Sequence, residues 1–207
     1  MRQLATPAAA LTAPVVTGGV VIAAWVLTGT VPVTTGAVST VSGTATVTGA
    51  LLAMSRYILG HVRTAVGQWE SAQAAFHQAL DAFQQVASAH WAQALAAEPQ
   101  AGLAQIALAQ GDLAAAQAQV EVILPVLAAA PHAGYNDPFA IYLTCYQVLT
   151  AIGDSRATTL LQQGYTLLQQ AAAALDDESR PRFLEAVPSH YALVTAYHAW
   201  QTDQVIG

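Results

Sequence analysis

The stretch Ala101–Leu124, AGLAQIALAQGDLAAAQAQVEVIL, decides the fold. Apolar residues recur every three or four positions on both sides of Gly111-Asp112. Such spacing gives one apolar stripe per helical segment, and a glycine flanked by polar residues breaks the helix, so the stretch reads as two helices folded back on each other.

Laying the preceding residues over this pair reveals an internal repeat. Gly67 aligns with Gly111, and seven residues before each glycine stands a small residue, Gly60 and Ala104, preceded by Leu59 and Leu103. After the glycines come Trp69 and Leu113, then Ala72 and Ala116, then Phe76 and Val120, at the same offsets. A third unit around Gly153 keeps Ala157, Leu161 and Gly164 at the mutual spacing of Ala72, Phe76 and Ala79, one residue closer to the turn. Tyr146 stands where its first helix should be small.

The pattern resembles the tetratricopeptide repeat, in which small residues let two antiparallel helices approach and large ones fill the seam. AGLAQIALAQGDLAAA (Ala101 to Ala116), IYLTCYQVLTAIGDSRA (Ile141 to Ala157) and RFLEAVPSHYALV (Arg182 to Val194) are similar to the helical-repeat regions of large bacterial signal-transduction ATPases and transcriptional regulators, including maltose-regulator-like proteins. The resemblance implies an all-α domain over residues 51–207, an antiparallel helix-pair array wound as a right-handed solenoid. The turn glycines lie 44 residues apart (67 to 111) and then 42 (111 to 153), so the units are longer than the usual repeat of about 34.

Segment by segment, helices are expected over Leu51 to Gly67, from Trp69 to about Glu98 with an interruption around Ser88, and on both sides of Gly111. Pro131 to Pro138 reads as a loop from its turn residues. Phe139 to Ile152 and Ser155 to Leu175 form the third pair, and two short helices divided by Pro188 follow. Phe183, Leu184, Val187, Leu193 and Trp200 are expected to cover the end of the stack, because a terminal unit otherwise leaves its apolar face in water.

Residues 1–50 differ in texture, with no charged side chain between Gln3 and Ser55. Four readings are open. Val15 to Val33, VVTGGVVIAAWVLTGTVPV, is long enough to span a bilayer, although three Gly, three Thr and Pro32 weaken that reading, or to belong to a signal segment, although the only charge before it is Arg2 and no convincing small-x-small cleavage site follows closely. Alternating Val/Thr runs such as Thr40 to Val47 permit strands. The segment also fits a disordered extension, or translation of GC-rich DNA upstream of a true start.

Composition narrows function. The 207 residues contain six Arg, no Lys and twelve acidic residues, for a net charge of -6, so a nucleic-acid surface lacks its cations. The absence of lysine also rules out a phosphate-binding Gly-x-x-x-x-Gly-Lys loop, and no basic helix-turn-helix is visible. The single Cys145 excludes a disulfide framework, lies in an apolar run and reads as a buried structural thiol, and cytoplasmic residence is the simplest inference. His77 with Asp81, and His190 with His198, lack the partners that would make a metal site. No cofactor, metal ligand set or catalytic constellation is expected.

Arg56 and Arg63, seven apart on the first helix, share a face. Because the first helix of each unit lines the concave groove in the repeats this chain resembles, these arginines are candidate groove contacts for a peptide carboxylate, the alternative being a solvated face. Arg63 occupies the position where the second unit has Ala107. The expected function is a non-enzymatic protein-interaction module, part of a split or truncated regulator. The alternative is a membrane-tethered scaffold anchored by residues 15–33.

Overall fold

The computed structural model describes residues 40–86, 89–129 and 135–206. Eight helices occupy them, and no strand is found among the described residues. They are α1 (Thr40–Ala65), α2 (Trp69–Val86), α3 (Ala89–Ala109), α4 (Leu113–Ala129), α5 (Pro138–Ala151), α6 (Arg156–Ala173), α7 (Ser179–Glu185) and α8 (Pro188–Ile206). The proposed membrane segment, residues 15–33, lies outside the described residues. Among those described, no helix is long and apolar enough to cross a membrane.

Three helix pairs are closed by the same turn. Gly67, Gly111 and Gly153 have φ of 74°, 77° and 71°, a left-handed backbone that a Cβ disfavours. At each turn the glycine N–H bonds back to Thr64, Leu108 or Thr150, and the next N–H bonds to Arg63, Ala107 or Leu149. This paired closure satisfies carbonyls that a helix end would otherwise leave bare. Asp112 then caps α4 by accepting from the N–H of Ala115, and Asp154, one residue before the N-cap Ser155, accepts from the N–H of Arg156 at the start of α6.

Packing follows the turns. α1 lies on α2, α3 on α4 and α5 on α6, while α1, α3, α5 and α8 neighbour one another in that order. Ala72, Ala104 and Ala116 are fully buried, and Gly60 is buried with them. Of the large residues aligned across the first two units, Phe76 and Val120 fill the interior, whereas Trp69 and Leu113 remain partly in solvent. Phe183, Leu184 and Trp200 pack on Phe139, Leu143, Leu161, Leu168 and Leu193 at the end of the stack, whereas Val187, expected with them, is not part of this cluster.

Two boundaries differ from the sequence reading. α1 begins at Thr40 instead of Leu51, so the Thr40 to Val47 run extends a helix and forms no strand. Adding a residue to an existing helix costs far less than starting one, so weak β-branched preferences yield to elongation. Pro99, expected to end a helix, lies inside α3; α2 ends at Val86 and α3 begins at Ala89, on either side of the interruption expected around Ser88, which itself lies outside the described residues. A mid-helix proline costs about 3 kcal/mol. Here Leu95 and Ala97 before it and Ala101, Leu103 and Ala104 after it are all buried, and their packing holds the helix through the proline.

Candidate functional site

A groove of about 480 Å³ opens on the face where α1, α3, α5 and the start of α8 meet. Tyr57 and His61 of α1, Gln105 of α3, Asp137, Ala140 and Leu143 at the start of α5, and Val187, Pro188 and Ser189 line it.

Helix periodicity places these side chains. His61 and Gln105 each stand six residues before a turn glycine, and Tyr57 lies one turn earlier on the same side of α1 as His61. The floor behind them is Phe76, whose ring meets His61 edge-on at 5.2 Å between centroids, while Tyr57 meets His61 edge-on at 4.6 Å.

Hydrogen bonds fix the remaining wall. The Asp137 carboxylate caps α5 by accepting from the Ala140 N–H at 3.0 Å and accepts from the Ser189 hydroxyl at 2.7 Å. His190, buried between Phe139 and Phe183, lies 3.9 Å from the same carboxylate and is 2.7 Å from the Phe183 carbonyl through Nδ1. Behind Asp137, Glu98 is only 2% exposed, and its carboxylate accepts from the backbone N–H of Asn136, from Asn136 Nδ2 at 2.7 Å and from the Asp137 N–H at 3.3 Å. This carboxylate ties the entry of α5 to the middle of α3.

Burial dominates the electrostatics. It raises Glu98 above the ordinary carboxylate range, the three donors pulling the other way, and it lowers His61 below the ordinary imidazole range. The Tyr57 hydroxyl is pushed well above the usual phenol range by burial, then by the negative charges of Glu98 and Asp137. Nε2 of His61 is buried and has no hydrogen-bond partner among the described residues.

Arg56 and Arg63 are not at this groove. Their guanidinium groups donate to carbonyls of α2, Arg56 to Gln78 at 3.2 Å and Arg63 to Ser71 at 3.0 Å. The position four before the turn glycine faces the protein interior: the equivalent of Arg63, Ala107, is buried in the core. In the first unit the longer side chain there reaches the Ser71 carbonyl in the first turn of α2. In the first two units the groove register is two residues earlier, where the polar residues His61 and Gln105 stand six before their glycines; Gln147, at the same offset in the third unit, does not line the groove.

The remaining candidates stay apart. His77 and Asp81 are exposed on α2, and no group of three His, Cys, Asp or Glu among the described residues is arranged to hold a metal. Cys145 is fully buried, which pushes its thiol up to about 12 and keeps it protonated and unreactive. No protein family, curated protein or solved structure matches the chain.

Proposed function

We propose that this chain is a non-enzymatic helical-repeat interaction module of the tetratricopeptide type, and that its groove receives a segment of a protein partner as part of a cytoplasmic signalling or transcriptional regulator. The observation that carries this reading is the row of α1, α3, α5 and α8, which brings four separate helices to one open groove lined by both apolar and polar side chains. Stacked helix pairs make such elongated surfaces because each unit contributes one helix to the same face. The Gln105 side chain and the Asp137 carboxylate add hydrogen-bonding groups to this lining that a peptide can meet.

Selection of peptides from a random library against the full chain, followed by amide exchange of the complex, tests the reading. Protection is expected at the groove-facing turns of α1, α3 and α5, with binding reduced at least fivefold by Gln105→Ala. Protection confined to α2, α4 or α6, or affinity unchanged in that variant, would overturn it.

A further inference from the structure

Two acceptors on the groove wall keep unused capacity, the Gln105 amide oxygen and the Asp137 carboxylate. Thr144 donates its hydroxyl proton to the Ala140 carbonyl at 2.8 Å, so at the 2.8 Å contact with Gln105 its oxygen must accept. That assigns the amide nitrogen of Gln105 to Thr144 and leaves the amide oxygen, which accepts nothing among the described residues. The Asp137 carboxylate has accepted two hydrogen bonds and retains further lone pairs. Among the described residues Asp137 is the one charged residue lining the groove, Glu98 adds a second carboxylate behind it, and the arginines of α1 are turned toward α2.

We propose that the groove binds a basic side chain, arginine or lysine, presented by a peptide partner, with Asp137 and the Gln105 amide oxygen accepting its N–H groups and Tyr57 flanking it. The proposal rests on the reading of this groove as a peptide site and names the chemistry it selects. A guanidinium or ammonium is all donor and no acceptor, which matches a wall offering acceptors around a carboxylate. An aromatic ring beside the cation adds attraction through its negative face. A bare metal ion is a poorer fit, because no three-ligand group exists among the described residues. This charge preference is the reverse of the carboxylate contact expected from Arg56 and Arg63.

Four pools of N-acetylated, C-amidated hexapeptides, random except for a fixed central Arg, Lys, Gln or Glu, decide the matter by fluorescence anisotropy with the full chain. The Arg and Lys pools are expected to bind at least tenfold more tightly than the Gln and Glu pools. Asp137→Asn should weaken the Arg pool at least fivefold while nearly preserving the thermal midpoint, since asparagine caps a helix about as well as aspartate. Gln or Glu pools binding as tightly as Arg would overturn the charge assignment and leave the peptide groove standing. Binding of the Arg pool unchanged in Asp137→Asn would overturn its placement. An unblocked Gln pool that matched the Arg pool would move the recognition from a side chain to a terminal ammonium and overturn the proposal. Failure of every pool to bind would remove the peptide-site reading itself.

Discussion

The first and last helix pairs solve the same packing problem with the large and small residues exchanged. In the first, the knob comes from the second helix: Phe76 of α2 lies between α1 and α3, and a Cβ built on Gly60 or Gly102 would come within 2.5 or 2.4 Å of its ring. In the last, the knob comes from the first helix: Tyr142 of α5 presses on Gly164 of α6, where a Cβ would lie 2.8 Å from the Tyr142 Cβ. One ring needs two glycines because it is clamped from both sides, and the other needs one. The exchange shows that the repeat preserves the closeness of paired helices and does not dictate which helix supplies the bulk.

The largest expected effect breaks the first knob. Phe76→Ala empties a fully enclosed site at the junction of three helices and should cost about 3 to 5 kcal/mol, by urea unfolding. Tyr142→Ala should cost less, because the Tyr142 ring already borders a cavity of about 490 Å³ between α4, α5 and α6 that solvent can fill. Phe76 also forms the floor under His61, so its loss should weaken peptide binding as well. Equal costs for the two variants would mean that the clamp adds nothing to ordinary burial.

The next effect concerns the glycines. Gly164→Ala sets a methyl against the Tyr142 Cβ, which moves only with the α5 backbone, so no rotamer change relieves it. Overpacking of this kind costs about 1 to 3 kcal/mol, against about 1 kcal/mol gained from replacing glycine inside a helix. At the first knob the obstacle is the end of a side chain, and a single Gly60→Ala or Gly102→Ala lets the ring slide toward the remaining glycine. The double variant closes both sides and should lose more than the sum of the singles by about 0.5 to 3 kcal/mol in a double-mutant cycle. Additive costs would show that the ring is not held between the two helices.

Much of this was legible in the sequence, and what was not has identifiable causes. The turns were readable because a left-handed closure demands glycine, and the burial of Gly60, Ala72, Ala104 and Ala116 followed from alignment on those glycines. Gly102 was passed over because the alignment pointed to Ala104 as the small residue of α3, and a second close contact is dictated by a ring from a different helix. The α1 arginines drew attention to position 63 as the groove register, although a long cationic side chain reaches a carbonyl from positions where a short one would be buried. Nothing local links Glu98 to Asn136, 38 residues apart, since only the folding of α5 onto α3 brings donors to that carboxylate.

Glu98 is the polar seam between the two halves, and the smallest predicted effect is its dependence on pH. Burial raises its proton affinity in the folded chain and leaves the unfolded chain at the ordinary carboxylate value. Below the unfolded value both states carry the proton, and Glu98 adds no pH dependence. As pH rises above it, the unfolded chain releases the proton first, so folding stability falls until pH passes the raised folded value, where both states are ionised and the loss levels off. Glu98→Gln cannot titrate, and its amide can meet the same donors if Asn136 turns its own amide to accept. Other titrations largely cancel in the comparison, so the thermal midpoint of the natural chain should fall relative to Glu98→Gln as pH is raised from about 4 to 8. A natural chain that instead gained on the variant with rising pH would show that the three N–H donors outweigh desolvation. The joint between α3 and α5 would then be held by an ionised carboxylate, and acid, rather than alkali, would loosen the two halves.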